Sequence, residues 1–251
     1  MLEEWKNKII NDDCLNVLPS IPDKSIDCII CDLPYGTTAC SWDTIIPFER
    51  LWESYTRIIK DNGAIVLFGC EPFSSYLRLS NLKWYKYDWI WKKSKSGSAF
   101  TAKYRPVNKH ENISVFGRGV IKYIPQMTSG TPYKRTHKVT ECHTNNHKIG
   151  FNQREIVTEN EGVRYPKNLI KFNRDKDRFH PTQKPIALLE YLIKTYSNKG
   201  ELILDNCSGS GTLAIACKRA DRDFICIEKD KTYYDISLER LRKENMKKRL
   251  F

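Results

Sequence analysis

The chain has 251 residues, 40% hydrophobic and 29% charged, with a formal net charge of +12. That balance is enough for a real core, and no apolar run approaches the roughly 20 residues a helix needs to cross a bilayer. The basic excess favours a polyanionic partner, nucleic acid ahead of a membrane surface.

In chain order, the start Met1–Lys6 lacks a basic region followed by an apolar one, so no signal peptide is read. A weak strand is expected over Lys8–Asn11. Ser25–Asp32 (SIDCIICD) reads as a buried strand. Cys28 and Cys31 match a redox or metal spacing, but in a strand they point to opposite faces, and a second ligand pair is missing. Nine scattered cysteines, several inside strand-like runs, fit reduced thiols in a cytoplasmic protein.

Phe48–Lys60 sets Leu51, Trp52, Tyr55, Ile58 and Ile59 at helical spacing, and Ala64–Gly69 reads as a second buried strand. Residues 92–109 then carry Lys92, Lys93, Lys95, Lys103, Arg105 and Lys109 with no acid, interleaved with Phe100 and Tyr104 and preceded by Trp91. Cations there can neutralise phosphates while aromatics stack on bases. Asn112–Gly117 is a third buried strand. The stretch 118–165 breaks the pattern. It has Gly130, Pro132, Gly150 and Gly162, no clear apolar period, and eight Lys or Arg (Lys134 and Arg135 among them) against four Glu. A long structureless insertion in a compact domain is often functional, and this one reads as a recognition region.

Pro185–Ser197 is an amphipathic helix with proline in its first turn and Gly200 after its end. Leu202–Asp205 is a strand, Thr212–Arg219 a helix, Phe224–Glu228 a strand and Tyr233–Lys243 a helix. Strands alternating with helices predict an α/β fold with a mostly parallel sheet.

Three motifs carry chemistry. In Leu202-Ile-Leu-Asp205-Asn-Cys207-Ser-Gly209-Ser-Gly211-Thr212, a strand ends in an acid and a glycine turn opens a helix. Small residues there let a ligand approach the backbone and the helix N-terminus. Glu228, ending the next strand, suits ribose hydroxyls. The pattern makes a nucleoside site, and Gly209-x-Gly211-x-x-Ala214 also fits a dinucleotide fingerprint. In Ile29-Ile-Cys-Asp32-Leu33-Pro34-Tyr35-Gly36, a strand delivers an acid, a rigid proline and an aromatic to one turn. Methylation of an amino group needs an acceptor for its hydrogens, an aromatic wall and a defined carbonyl, which Asp32, Tyr35 and Leu33 can supply. The third motif is His180-Pro-Thr182-Gln-Lys184-Pro185, which runs straight into a helix.

Asp32-Leu-Pro-Tyr35, His180-Pro-Thr-Gln-Lys-Pro185 and Asp205-x-x-x-Gly-Ser-Gly-Thr212, in that order, resemble the beta-class amino-methylating DNA methyltransferases. Asn11–Leu15, Leu18–Asp23, Tyr165–Leu169 and Ile227–Asp230 resemble further segments of that family, so the resemblance covers about 1–117 and 164–240. It implies a Rossmann-like class I methyltransferase fold, a doubly wound and mostly parallel sheet. The catalytic half would be 1–117, the target-recognition insertion 118–165 and the cofactor half 166–251. It implies S-adenosylmethionine as cofactor and double-stranded DNA as substrate, with adenine N6 ahead of cytosine N4 because Asp stands first in the tetrapeptide. It makes Asp32, Leu33, Pro34 and Tyr35 catalytic. Asp205, Cys207, Gly209, Gly211 and Thr212 would lie along the cofactor, Glu228 at its ribose and Asp13 near its adenine. His180, Thr182 and Lys184 would border its carboxylate. Leu33 departs from the family's proline, whose contribution is a backbone carbonyl that leucine shares. Lys92, Lys93, Lys95, Lys103, Arg105, Lys134 and Arg135 are the expected DNA contacts. A homodimer and a cognate restriction nuclease are compatible with this reading. No metal is expected, since Cys142, His143 and His147 lack a fourth ligand. Rival readings are a nicotinamide or flavin enzyme and a non-catalytic nucleic-acid-binding module, with RNA as an alternative substrate.

Overall fold

The computed structural model describes residues 2–37, 43–94, 102–145 and 148–248, the side chains of 2, 139–145, 148–153 and 248 excepted. The chain divides into two units. Residues 1–124 and 168–251 form the first, and Pro125–Lys167 forms the second.

The first unit begins with β1 (Lys8–Asn11), a short α1 (Cys14–Val17), β2 (Ile26–Cys31), α2 (Phe48–Ile58), β3 (Ile59–Gly69), α3 (Phe73–Ser80), β4 (Tyr85–Lys93) and β5 (His110–Phe116). The second unit holds β6 (Thr128–Ser129), β7 (Tyr133–Asn145), β8 (Lys148–Asn160) and β9 (Val163–Arg164). The chain then returns to the first with β10 (Leu169–Phe172), α4 (Ile186–Tyr196), β11 (Leu202–Asp205), α5 (Thr212–Arg219), β12 (Asp223–Glu228) and α6 (Lys231–Lys248).

Eight strands make one sheet in the order β1-β12-β11-β2-β3-β5-β4-β10. All neighbours pair in parallel except β5, which runs antiparallel to both β3 and β4. The expected mostly parallel, doubly wound sheet is therefore present. Two apolar layers cover it. One sets Cys28, Ile30, Val66 and Phe68 against Leu188, Leu192 and Leu213 of α4 and α5. The other sets Ile29, Cys31, Ile65 and Leu67 against Leu51, Tyr55 and Ile58 of α2. Cys28 and Cys31 lie in opposite layers, as strand alternation requires. A strand covered on both faces has no polar side to show, so β2, β11 and most of β12 are uniformly buried and legible as apolar runs.

Two strands of this eight-stranded sheet, β4 and β10, escaped the sequence reading. In β4 only Trp89 and Trp91 are buried, alternating with Lys86, Asp88 and Lys92, and β10 is a four-residue strand at the end of the sheet. Trp91, expected among base-stacking aromatics, is instead core. It is 2% exposed and its indole N–H donates to the Phe172 carbonyl at 3.2 Å.

The expected insertion boundaries also move. Residues 118–124 belong to the first unit, where the Lys122 amide donates to the Asn62 carbonyl and the Ile124 amide to that of Thr195. Pro125–Lys167 is not structureless but carries a two-stranded antiparallel ribbon, β7 with β8. The ribbon's described side chains are exposed or half-buried, and strands with no face packed on a core need no apolar period, so no strand signal is legible there. Among the described residues no helix is long and apolar enough to cross a membrane.

Candidate active site

Strand order decides where a site forms. From β2 the chain moves to β3 on one side, and from β11 to β12 on the other. Loops leaving two adjacent parallel strands in opposite directions open a crevice at their C-terminal ends. The loop after β2 carries Asp32-Leu-Pro-Tyr35 and the loop after β11 carries Asn206–Gly211. One cavity of about 680 Å³ joins them and is lined by Asp13, Asp32, Leu33, Pro34, Tyr35, His180, Thr182, Lys184, Asp205, Cys207, Gly209, Thr212 and Glu228. The sequence motifs, up to about 200 residues apart, thus meet on one wall.

At the β2 end, Asp32 accepts on both oxygens. The Tyr35 hydroxyl donates to Oδ1 at 2.5 Å and the Lys184 ammonium to Oδ2 at 2.5 Å. The Tyr35 ring leans on Phe73, centroids 4.9 Å apart. Asp43 fastens the loop by accepting the Gly36 and Thr37 amides, each at 2.9 Å. Leu33 is 3% exposed and packs in the α2-side core, so burial anchors the loop where the family has a proline.

Lys184 is 7% exposed and also lies 3.3 Å from Glu111, which in turn pairs with Lys93 at 2.7 Å. The row Asp32–Lys184–Glu111–Lys93 therefore alternates in sign and is largely shielded from solvent. Burial pushes the Asp32 carboxyl above its usual range, and Lys184 pulls it back only in part. Burial disfavours the Lys184 ammonium, but Asp32 and Glu111 outweigh it and hold its pKa above the ordinary lysine value. Lys184 was expected beside a cofactor carboxylate. In the structure it lines the cavity, with its ammonium engaged by two carboxylates of the chain. Lys93, expected on DNA, is half-buried against Glu111. Glu111 itself went unnoticed in the sequence. It starts a strand, and only the antiparallel course of β5 brings that start to the rim where β2 and β3 end.

At the β11 end the glycine turn is shaped for close approach. Gly209 and Gly211 have φ of +51° and +73°, a region that side chains rarely adopt, and a Cβ on Gly211 would stand 2.7 Å from that of Ser237. Gly211 caps α5, which starts at Thr212. Arg240 of α6, also missed in the sequence, pins this turn by donating to the Ser210 hydroxyl at 2.8 Å and to Thr212 Oγ1 at 3.1 Å, with Phe179 over its guanidinium. Glu228 accepts the Gly209 amide at 2.7 Å and that of Asp230 at 2.8 Å. Asp205 is 7% exposed, accepts the Cys207 amide at 3.1 Å, and is pushed up to about 7 by burial. Asp13 does two things at once: it caps α1 by accepting the Leu15 amide and it borders the cavity, paired with Lys229 at 2.9 Å.

His180 covers Gly209, its ring carbon 3.6 Å from the position of a Cβ there, and packs edge-on to Tyr233 at 4.2 Å. Burial, then the charge of Lys184, lower its pKa to about 4, so it is neutral at neutral pH. Its Nδ1 accepts the Thr182 amide at 3.3 Å, which leaves the proton on Nε2.

Of the other expected DNA contacts, Lys92, Lys103, Arg105, Lys134 and Arg135 are exposed, while Lys95 and the neighbouring Phe100 lie outside the described residues. The side chains of Cys142 and His143, and all of His147, also fall outside them. No metal-binding group occurs among the described residues.

Comparison with known proteins agrees with this arrangement. The N6/N4 DNA methylase family matches residues 26–239. The type II methyltransferase M.HpaI of Haemophilus parainfluenzae is 30% identical over 255 aligned residues, spanning 94% of this chain and 74% of that protein. Among solved structures, the M1.HpyAVI–SAM complex superposes with a TM-score of 0.63 at 23% identity, covering 93% of this chain and 99% of the other. The cytosine-N4-specific PvuII DNA methyltransferase gives 0.64 at 15% identity, covering 93% and 85%. At those identities the structures establish the class I methyltransferase fold. Taken with the match across 26–239 and the likeness to M.HpaI, they leave one placement: the chain belongs to the N6/N4 DNA methylase family.

Proposed function

We propose that the protein transfers a methyl group from S-adenosylmethionine to the exocyclic N6 of adenine within a specific sequence of double-stranded DNA. The observation that carries this reading is one cavity lined both by Asp32 and Tyr35 and by Asp205, Gly209 and Glu228. The donor set suits the cofactor. A shielded carboxylate at Asp205, pushed up by burial, is relieved by a cationic ligand, and the turn at Gly209 and Gly211 admits one close to the backbone. Glu228 retains lone pairs for ribose hydroxyls, Asp13 borders the nucleobase end, and the Nε2–H of His180 is a donor for a carboxylate.

When bound, S-adenosylmethionine supplies a methyl carbon made electrophilic by its sulfonium. The chain's own residues supply the rest. An adenine amino group is inaccessible inside the duplex, so the base rotates out into the cavity, as enzymes acting on bases require. Tyr35 offers it an aromatic wall. Each Asp32 oxygen has a lone pair left after accepting Tyr35 and Lys184, so Asp32 accepts one amino hydrogen and the Leu33 carbonyl the other. Those bonds draw the nitrogen lone pair away from the ring and aim it at the methyl group. Positioning and electrostatics are the main contributions. Asp32, raised by burial, is also the nearest base for the proton the nitrogen sheds.

The test is to incubate plasmid DNA with purified protein and S-adenosylmethionine, then map modified bases by single-molecule sequencing. N6-methyladenine at one sequence is expected. N4-methylcytosine would replace the base assignment, and unmodified DNA would remove the reading altogether.

A further inference from the structure

Methyl transfer leaves one group of nucleophiles in the cavity unused. Of the described cysteine side chains, only Cys14 and Cys207 line it. Cys14 opens α1 and Cys207 lies in the loop after β11, while Cys31 ends β2 behind them. Three sulfurs from three distant stretches of chain meet there: the Cys207 thiol is hydrogen-bonded to those of Cys14 and Cys31. A buried polar pair holds an amide against them. The Tyr55 hydroxyl donates to Asn206 Oδ1, which turns Nδ2 toward sulfur, where it donates to Cys207 Sγ at 3.5 Å and to the Cys14 thiol.

These contacts give the thiols different characters. The hydrogen bond with Cys207 outweighs burial and, with that of Asn206, holds the Cys14 thiol below its ordinary value, while the contacts with Cys14 and Cys31 raise Cys207. Burial pushes Cys31 up to about 12 and shuts it off from the cavity. A cavity-lining thiolate beside a protonated, half-buried thiol is the arrangement that peroxides oxidise and a second sulfur resolves. We propose that Cys14 and Cys207 are a dithiol oxidised by hydrogen peroxide, and that their disulfide closes the cofactor end of the cavity. The Cys14 thiolate attacks one peroxide oxygen, the O–O bond breaks, and the departing hydroxide leaves as water with the proton Cys14 gave up. Cys207 then attacks the resulting sulfenic sulfur, and the hydroxyl departs with the Cys207 proton as a second water. Two thiols are oxidised and one peroxide is reduced to two waters. Asp13 directly precedes Cys14, and Asp205 accepts the Cys207 amide at 3.1 Å, so a bond between the sulfurs acts on both carboxylates. That consequence rests on the cofactor reading above.

Full-length protein is treated with hydrogen peroxide, the remaining thiols are blocked, and peptides are mapped by mass spectrometry with and without dithiothreitol. S-adenosylmethionine affinity is measured by calorimetry on the same samples. A peptide linked through Cys14 and Cys207 is expected, with cofactor affinity falling about tenfold or more and recovering on reduction. Cys14→Ser and Cys207→Ser, each compared with its own untreated sample, are expected to keep their affinity through the treatment, and Cys31→Ser to lose it as the parent does. Saturating S-adenosylmethionine present during the treatment is expected to slow the crosslink. Thiols that stay free, a crosslink through Cys31 instead, or equal losses in the two serine variants would overturn the proposal and leave the enzymatic reading standing. A crosslink formed in a protein that binds no S-adenosylmethionine even when reduced would remove the cofactor reading and the closure with it.

Discussion

The catalytic cavity and the β7–β8 ribbon use charge in opposite ways. From the cavity wall inward, charges are shielded and tied to one another: Asp32 and Lys184 line the cavity, Glu111 and Lys93 continue the row behind them, and each charged group meets its opposite. On the ribbon the described charges are exposed, and Lys134 and Lys138 meet Glu159 and Glu155 across the strands in solvent. A shielded row is strong in a low-dielectric setting, and breaking one link leaves an uncompensated charge. Exposed charges act through the summed field and are screened by salt. Substitutions in the first region should therefore change rates and pH profiles, and those in the second should change salt dependence.

The largest expected effect is at Asp32. Asp32→Ala removes the acceptor for the amino group, and turnover is expected to fall by about 10²–10³-fold, the range seen for losing one preorganised hydrogen-bonding group at a reacting centre. Cofactor affinity, measured by calorimetry, should stay near the parent value. Near-normal methyl incorporation would take Asp32 out of the chemistry.

Next comes Lys184. Asp32 works as an acceptor only when ionised, and its pKa in the folded protein is raised by burial, so activity should decline as pH falls through a point above the usual carboxylate range of about 4. Lys184 is the strongest influence opposing that rise. Lys184→Met should move the acid limb of the rate profile to higher pH and Lys184→Arg should largely restore it. Glu111→Gln removes a negative charge that raises the Asp32 carboxyl, so it should move the limb the other way, to lower pH, and by less. An acid limb that stays put in Lys184→Met would show that the row does not set the protonation of Asp32.

A smaller effect is expected at Arg240, which touches the glycine turn from behind. Arg240→Met should weaken S-adenosylmethionine binding by about tenfold, equivalent to about 1.4 kcal/mol, with far-ultraviolet circular dichroism unchanged. Unaltered binding would mean the turn holds its shape without that pin. On the exposed ribbon, Arg135→Ala is expected to be the mildest: methyl transfer near the parent rate, and a fall in DNA affinity from about 50 to 200 mM salt that is about threefold smaller, as for one lost phosphate contact; a parent-like salt slope would take Arg135 off the phosphates.

The two regions also differ in how far their sequences disclosed them. Buried parallel strands such as Ile26–Cys31 and Leu202–Asp205 announce themselves as apolar runs ending in a functional acid, and the motifs after them meet as the strand order dictates. Glu111 and Arg240 gave no such signal. One depends on a strand reversing direction, and the other on α6 packing against a turn about 30 residues away in the chain. Lys93 and Trp91 looked like a nucleic-acid stripe because β4 alternates, and only pairing shows the stripe to be half core. On the ribbon, the sequence disclosed net charge but not its pairing, which exists only once Lys134 is set opposite Glu159.

The reversed strand β5 has one more consequence. Because β4 ends at Lys93 and β5 begins at His110, with Lys92 paired to His110, the two ends of the intervening connection are held side by side by the sheet and by the Lys93–Glu111 contact. Segments grafted into or trimmed from 94–109 need not displace Glu111. That stretch is a slot in which new sequence can be tried by evolution, or by an engineer, while the chemistry next door keeps its footing.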